Sequence, residues 1–287
     1  MEAKELLKKV RKIEIKSRGL SRQIFAGEYH SAFKGKGMIF SEVREYNYGD
    51  PIKNIDWNVT ARLNHPYVKV FEEERELTVM LLIDVSGSEK FGTHERFKQE
   101  LVAEIAAILA FSASQNNDKI GAILFSDRVE KFIPPKKGLK HILRIILELL
   151  DFEPQSTKTD VGEALKYFTN ALKKRCTAFI ISDFMSPDFS EALKIAANKH
   201  DLAALRIYDK FEKELPDIGL AYFKDIESGE FKWIDTSIKK VRLNYRKWWD
   251  EKHGINTEIL RRSKVDWVDI RTDEDYVKTL IGLFKNR

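Results

Sequence analysis

The sequence predicts an α/β protein with a doubly wound, mostly parallel sheet. Between residues 77 and 210, short apolar runs typical of strands covered on both faces alternate with amphipathic segments typical of helices. Polar side chains suited to binding a metal ion come directly after two of these runs, at the strand ends where sheets of this class bind ligands. We therefore predict that residues 77–287 form one domain, with its core at 77–210 and additions at 211–287.

Residues 1–76 are predicted to be an N-terminal extension of irregular and β structure that packs on this core. Residues 2–17 carry apolar side chains at helical spacing among many lysines, which indicates an amphipathic helix. Such a helix either packs on the body of the protein or lies on a membrane surface, and the sequence leaves both interpretations open. Residues 18–76 are predicted to be irregular apart from a strand at 67–71, with too few contiguous apolar residues to bury a core of their own.

The elements of the core follow from the periodicity of its apolar residues. Continuous apolar runs predict strands, and apolar residues that recur every three or four positions predict helices. Pro134 and Pro135 are predicted to end the third of the core strands. The predicted strands are 78–83, 119–125, 129–133, 177–182 and 202–208, and the predicted helices are 94–114, 138–151, 160–174 and 188–199.

The additions after the core are predicted to be a β-hairpin and two helices around a further strand. The hairpin strands, 220–226 and 230–235, are joined at the turn dipeptide Ser228-Gly229. A helix at 237–262 is expected to bend or break near Gly254, and a strand at 265–270 follows. The last helix is expected to begin at Thr272, as its N-cap.

Composition excludes several classes of protein. The 287 residues include 50 Lys and Arg against 45 Asp and Glu, and these charges are interleaved, whereas a nucleic-acid-binding protein collects its basic residues on one face. A hydrophobic fraction of 43% is enough for a packed core. We expect no signal peptide, because residues 1–16 lack a continuous apolar run, and no apolar run in the sequence approaches the roughly 18 residues of a membrane helix. The single cysteine, Cys176, forms no internal disulfide and is predicted to be a buried thiol without a base nearby. We predict a cytoplasmic protein that binds no nucleic acid and has no integral membrane segment.

The residues that carry chemistry follow the first core strand. Asp84, Ser86 and Ser88 stand at a spacing that lets one turn direct all three side chains toward a single point. Alone, this pattern is also typical of an ordinary turn. Thr159 begins a predicted helix and Asp183 follows another apolar strand, so both are expected at the same edge of the sheet. These hard oxygen donors predict a site for Mg²⁺, with Mn²⁺ or Ca²⁺ as alternatives.

The order of these five residues resembles the metal-ion-dependent adhesion site of von Willebrand factor A domains. The resemblance implies that Ser86, Ser88 and Thr159 bind the ion directly, and that the two aspartates act through water or a hydroxyl. It also implies that a partner's carboxylate completes the coordination of the ion. Lys158 stands where many members of the family have glycine, which changes the expected backbone of that loop.

The N-terminal part resembles the bacterial family called domain of unknown function fifty-eight. The resemblance rests on 40–46 (FSEVREY), 49–50 (GD), 55–57 (IDW) and 60–62 (TAR). It implies a von Willebrand A-like core after this segment and a role as adaptor or chaperone partner of a MoxR-type AAA+ ATPase. Many members of that family begin with membrane spans, whereas no apolar run of that length is present in this sequence. Charged and aromatic residues in an irregular segment mark either an interface or an internal framework, and four are predicted to bind a partner: Arg44, Asp56, Trp57 and Arg62.

Two classes of function fit these features. The first is a binding module without enzymatic activity, in which Mg²⁺ bridges the protein to an acidic residue of a AAA+ ATPase or its client. The second is a Mg²⁺-dependent, phosphatase-like hydrolase on a doubly wound sheet. Phosphatases of that shape carry Asp-x-Asp, whereas the second acidic position is Ser86 here, so the sequence favours the binding module.

Overall fold

In this computed structural model, the chain divides into two compact units. One contains residues Met1–Ala32 and Thr78–Arg287 and is called the core unit below; the other, Phe33–Leu77, is called the small unit. The structure describes residues 3–25, 39–72, 77–87, 98–224, 230–285 and 287. The prediction that residues 1–76 pack onto the core as an extension stays a prediction.

The small unit is more regular than the sequence indicated. Strand β1 (Ile39–Glu45) pairs in antiparallel orientation with β2 (Tyr67–Glu72), and a 3-10 turn (Ile52–Asn54) and helix α2 (Trp57–Leu63) lie between them in the chain. Asp56 caps α2, because its Oδ1 accepts hydrogen bonds from the backbone N of Asn58 at 3.0 Å and of Val59 at 3.2 Å. The prediction of an irregular segment was therefore wrong here, since short strands with few apolar residues leave little periodicity to detect.

The core unit is built on a six-stranded sheet with helices on its faces. The strands are β3 (Thr78–Asp84), β4 (Lys119–Phe125), β5 (Val129–Lys136), β6 (Thr177–Ser182), β7 (Asp201–Tyr208) and β10 (Asp266–Arg271), with β8 (Leu220–Lys224) and β9 (Phe231–Asp235) as a separate hairpin. The order of strands in the sheet is β10-β7-β6-β3-β4-β5, and all neighbours are parallel except β4 and β5. The helices are α1 (Ala3–Phe25), α3 (Lys98–Gln115), α4 (Leu139–Leu150), α5 (Val161–Ala171), α6 (Ser190–Lys199), α7 (Lys210–Lys213), α8 (Lys239–Arg262) and α9 (Tyr276–Lys285). The predicted α/β class with a doubly wound, mostly parallel sheet is confirmed.

The apolar runs occupy the centre of the sheet. Strand β3 lies between β6 and β4, and its side chains from Met80 to Ile83 are fully buried. A strand covered by helices on both faces has no solvent-facing side, so the apolar run is continuous rather than alternating. Because β3 and β6 are parallel neighbours, their carboxyl ends lie side by side at one edge of the sheet. The candidate site lies at this edge.

Strand β5 corrects one prediction. It continues to Lys136 and includes both Pro134 and Pro135, which were expected to end it. The strand forms the edge of the sheet, where a residue without a backbone N–H costs no ladder hydrogen bond on the open side. Gly121 of β4 accommodates the close approach, because a Cβ there would lie 2.8 Å from the carbonyl oxygen of Ile133.

Helix α1 packs on the core unit and extends further than predicted. Val10 and Ile13 are buried on one face. Beside that face, lysines of α1 form ion pairs with α3: Lys9 Nζ lies 2.8 Å from Glu100 Oε1, and Lys16 Nζ lies 2.6 Å from Glu104 Oε2. Of the two interpretations of this helix, packing on the body is the one observed. Across the residues that the structure describes, none of the helices combines the length and apolar character needed to span a membrane.

The C-terminal additions follow the prediction except near Gly254 and at the start of the last helix. Helix α9 begins at Tyr276, and Asp275 accepts a hydrogen bond from the backbone N of Val277 at 3.1 Å. Thr272, the expected cap, instead donates its hydroxyl to Asp209 Oδ2 at 2.7 Å. Helix α8 is continuous through Gly254, so the break expected there does not occur. The hairpin pairs as expected, although its turn at 228–229 lies outside the described residues.

Candidate metal centre

Asp84 stands at the carboxyl end of β3 and is almost completely buried. Its Oδ1 accepts a hydrogen bond from the backbone N of Ser86 at 2.9 Å, which closes the turn after the strand. Its Oδ2 accepts a hydrogen bond from the hydroxyl of Ser182, the last residue of the neighbouring strand β6, at 2.7 Å. The carboxylate is thus held between the ends of two adjacent strands.

Asp183 follows β6 and lies beside Asp84. Its Oδ1 accepts a hydrogen bond from the backbone N of Met185, and its Oδ2 accepts one from Lys98 Nζ, both at 2.9 Å. Burial, and then the negative charge of Asp183, raise the pKa of Asp84 to about 6. Two carboxylates crowded in a buried place repel each other, and a cation between them would relieve that repulsion.

Thr159 contributes a buried hydroxyl with an unmet hydrogen-bonding capacity. The residue is 5% exposed, and its Oγ1 has no hydrogen-bond partner among the described residues. Its loop is tied to the loop after β3, because the backbone N of Gly87 donates to the carbonyl oxygen of Thr157 at 3.1 Å. Leaving a buried polar atom unpaired costs about 1–3 kcal/mol, and coordination to a metal ion would satisfy it.

These observations fit a site for a hard divalent ion. The structure brings together Asp84, Ser86 and Asp183, and it ties the loop of Thr159 to theirs; Ser88 lies outside the described residues. Within the described residues, no three His, Cys, Asp or Glu side chains are grouped as a metal cluster, so hydroxyl oxygens would have to supply part of the coordination. The role of each residue as a ligand stays a prediction.

Two further charged residues adjoin this place, and the sequence analysis did not find them. Lys98, at the start of α3, is fully buried, and its Nζ lies 2.9 Å from Asp183 Oδ2 and 3.1 Å from Glu212 Oε1. Burial raises the pKa of Glu212, while the ammonium of Lys98 acts in the opposite direction. Lys98 stands three residues before Leu101 and therefore lies on the apolar face of the helix. A lysine at such a position is the sequence feature that could have indicated a buried charge.

The four predicted partner-binding residues of the small unit differ in their contacts. Arg44 binds both carboxylate oxygens of Asp50, at 2.8 and 2.9 Å, and lowers the pKa of that carboxyl. Asp56 caps α2 and pairs with Lys69 at 3.4 Å. Trp57 is 67% exposed, and Arg62 is also exposed. Two of the four therefore have an internal role, and partner binding by any of them stays a prediction.

Cys176 has a neighbour that the sequence analysis did not anticipate. His200 Nδ1 lies 3.3 Å from its Sγ, so the expectation of no base nearby was wrong. The two residues are 24 positions apart, and the contact forms because β6 and β7 are neighbours. Burial raises the pKa of Cys176 to about 12 and lowers that of His200 to about 4, so both are neutral near pH 7 and no reactive thiolate forms.

Comparison with known proteins gives the fold and the family of this chain. Uncharacterized proteins of Mycobacterium bovis and Mycobacterium tuberculosis are 28% identical over 271 residues, which is 92% of this chain and 84% of theirs. The crystal structure of the conserved hypothetical protein BatB from Bacteroides thetaiotaomicron aligns with a TM-score of 0.51 at 17% identity, over 73% of this chain and 98% of that one. An aerotolerance-related membrane protein from Bacteroides fragilis aligns with the same TM-score at 14% identity, over 74% of this chain and 100% of that one. At these identities the structural likeness concerns the fold alone.

The family assignment comes from a sequence model of a whole family. Residues 42–254 match the family described as Protein of unknown function DUF58. The matched residues take in most of the small unit and the entire candidate site. The chain therefore belongs to the DUF58 family.

Proposed function

We propose that this protein is a metal-dependent protein-binding module. A divalent ion, Mg²⁺ in the first place, would be held at the carboxyl edge of the sheet by Asp84, Ser86, Ser88, Thr159 and Asp183. The observation that carries the proposal is the buried hydroxyl of Thr159, which has no hydrogen-bond partner in the part of the chain that the structure describes. Its loop is tied to the loop after β3, where Asp84 lies beside Asp183. A hard cation suits both the anionic crowding and the unmet hydroxyl.

The chemistry of the donor set favours binding an acidic partner. When bound, the ion would supply an electrophilic centre for an anionic ligand, because hydroxyls neutralise little of its charge. The residues of this chain hold and orient the donors: Ser182 and the backbone N of Ser86 fix the carboxylate of Asp84 from two sides. A carboxylate of a second protein is then the natural ligand for the remaining coordination position.

The partner that we propose is a MoxR-type AAA+ ATPase or one of its clients, in the cytoplasm. The proposal is supported by the resemblance of the small unit to the family whose members are encoded beside such ATPases. The exposed Trp57 and Arg62 offer a second contact surface for the same partner.

A hydrolase at this site is the weaker alternative. A phosphatase-like mechanism needs a carboxylate free to attack or to act as a base. Both carboxylate oxygens of Asp84 already accept hydrogen bonds, and the second position of the motif is the buried Ser86. We therefore propose that the protein is not an enzyme. Phosphatase and ATPase assays with Mg²⁺ should give no turnover above that of the Asp84→Ala variant.

The proposed function is tested by removing Asp84. We expect Asp84→Ala to weaken Mg²⁺ binding, measured by calorimetry, at least tenfold, because one anionic group is lost from a weak site. Capture of the candidate ATPase should succeed with the wild type in Mg²⁺ and fail both in EDTA and with Asp84→Ala. Asp188→Ala is the matched control, because Asp188 is exposed and outside the predicted donor set. Equal affinity for the ATPase under all these conditions would show that no ion joins the two proteins.

A further inference from the structure

The predicted metal site contains a cation of its own. Lys98 is fully buried, and its ammonium lies 2.9 Å from Asp183 Oδ2, one of the oxygens expected to serve the metal. The ammonium also lies 3.1 Å from Glu212 Oε1. An isolated ammonium is very costly to bury, and ion pairs with these two carboxylates offset part of that cost.

The place of Lys98 is built into the fold. Glu212 cannot follow a moving lysine freely, because its Oε2 accepts a hydrogen bond from the backbone N of Asp209 at 2.7 Å in the capping box of α7. The backbone of Glu212 is held in turn by the hydroxyl of Tyr245, which donates to its carbonyl oxygen at 2.9 Å. One wall of the ammonium site is therefore fixed, and Asp183 is the other wall.

We propose that Lys98 is a built-in competitor of the divalent ion. In the metal-free protein its ammonium pairs with the carboxylate of Asp183 and thereby lowers the affinity of the site for Mg²⁺. The ion is then retained only when the carboxylate of a partner also binds it. This inference rests on the proposed metal site. It adds a residue outside the donor set that makes binding of the ion and of the acidic partner mutually dependent.

Electrostatics gives the direction of the effect. A divalent ion that uses Asp183 must share that carboxylate with an ammonium already in hydrogen-bond contact, and it is also repelled by the positive charge. A partner's carboxylate adds a negative charge and offsets that repulsion. By reciprocity, the ion then favours the partner as much as the partner favours the ion.

The test is Lys98→Met, which keeps a long side chain and removes the charge. We expect calorimetry with Mg²⁺ alone to show a dissociation constant at least tenfold lower than that of the wild type. The metal-free variant should melt at a lower temperature, because Asp183 and Glu212 lose their buried counter-ion. Added Mg²⁺ should raise its melting temperature more than that of the wild type, because tighter binding stabilises the folded state more.

Two further variants separate this effect from general damage. Arg206→Met removes another buried cation, whose guanidinium pairs with Asp269 at 2.7 Å, and it should lower stability without raising affinity for Mg²⁺. If Lys98→Met does not fold without metal, Lys98→Met with Glu212→Gln leaves one fewer unpaired carboxylate. That double variant should still bind Mg²⁺ more tightly than Glu212→Gln alone.

The outcomes distinguish this inference from the function on which it rests. If Mg²⁺ binds the wild type and Lys98→Met with equal affinity, Lys98 is a structural ion pair and the inference is wrong, while the metal site stands. If Mg²⁺ binds neither protein at millimolar concentration, both the metal site and the inference are overturned. Tighter binding by Lys98→Met, with no such gain in Arg206→Met, supports the competitor role.

Discussion

At the scale of single residues, the carboxyl of Asp84 affects both the affinity of the candidate site for a cation and the stability of the protein. Its carboxyl is buried between two strand ends, and its pKa is raised to about 6 by burial and by the charge of Asp183. An ionised Asp84 therefore destabilises the metal-free fold near pH 7, and whatever neutralises it, a proton or a cation, stabilises the fold. The same arrangement that would bind an ion is thus a cost when the ion is absent.

This leads to a prediction about pH. The folded-state pKa of Asp84 lies above the unfolded value of 3.8, so the native state binds the extra proton, and the free energy of unfolding falls as pH rises from about 4 through about 6. The loss is up to about 3 kcal/mol, at about 1.4 kcal/mol per unit of pKa. Asp84→Asn should remove it, since the amide can donate to Ser182 and still accept from Ser86. Chemical denaturation in EDTA between pH 4.5 and 7.5 measures the difference between the two proteins.

The control for this prediction has the opposite sign. The backbone N of Ser190 hydrogen-bonds the carboxylate of Asp188 and lowers its pKa. Its contribution to stability is therefore lost as pH falls, and Asp188→Asn should reduce the acid sensitivity of the fold. If Asp84→Asn follows the wild type across the whole pH range, the carboxyl of Asp84 is not perturbed in the way described.

At the scale of elements, one glycine of β4 permits the proline-containing strand β5 to pair at the edge of the sheet. Strand β5 carries two consecutive prolines, and its pairing with β4 is irregular between Ile120 and Ala122. At Gly121, between them, a Cβ would lie 2.7 Å from Met80 Sδ, 2.8 Å from the carbonyl oxygen of Ile133 and 2.9 Å from the backbone N of Pro135. Two of these three contacts are to backbone atoms, which cannot rotate away.

Gly121→Ala should therefore destabilise the protein. We expect a loss of about 1–3 kcal/mol in the free energy of unfolding, as is typical of overpacking a core. Gly254→Ala is the matched control: Gly254 lies inside helix α8, and beyond its chain neighbours and the adjoining helix backbone nothing lies within 4 Å of an added Cβ. The control should gain about 0.5–1 kcal/mol, because alanine favours the helix. Urea denaturation of both variants measures these changes in the free energy of unfolding. If Gly121→Ala left the free energy of unfolding unchanged, β4 would not pack against β5 as closely as described.

At the scale of the whole molecule, the core unit includes a helix from the start of the sequence, α1. Helix α1 is separated from β3 by the small unit in the chain, yet it belongs to the core unit and forms ion pairs with α3. Its buried Val10 and Ile13 and its exposed Ile15 lie on different faces. The helix is thus a structural part of the core unit in spite of its many lysines.

Substitutions on the two faces of α1 test this role. Ile13 is 6% exposed, so Ile13→Asp places an unpaired charge in the packed face and should lower the free energy of unfolding by about 2 kcal/mol or more. Ile15 is 68% exposed, and Ile15→Asp should change stability by less than about 0.5 kcal/mol. Thermal and urea denaturation of the full chain provide the comparison. Equal effects at the two positions would mean that α1 does not pack as described.

Local pattern determined most of the core elements. Strands β4 and β6 were predicted with the bounds observed, because a strand covered on both faces is a continuous apolar run that needs no knowledge of its neighbours. Asp84, Ser86 and Asp183 were predicted to meet because the carboxyl ends of parallel strands lie at one edge of a sheet. Where pattern is weak, as in β1, or is overridden by position in the sheet, as at Pro134 of β5, the prediction failed.

Only the tertiary structure decided which residues far apart in the chain contact each other. Lys98 meets Asp183 and Glu212 across 85 and 114 positions. Cys176 meets His200 because two strands are neighbours in the sheet. Apolar periodicity is local and reports which face of an element is buried. The partner of a buried charge depends on strand order and helix packing, and no local pattern in the sequence records it.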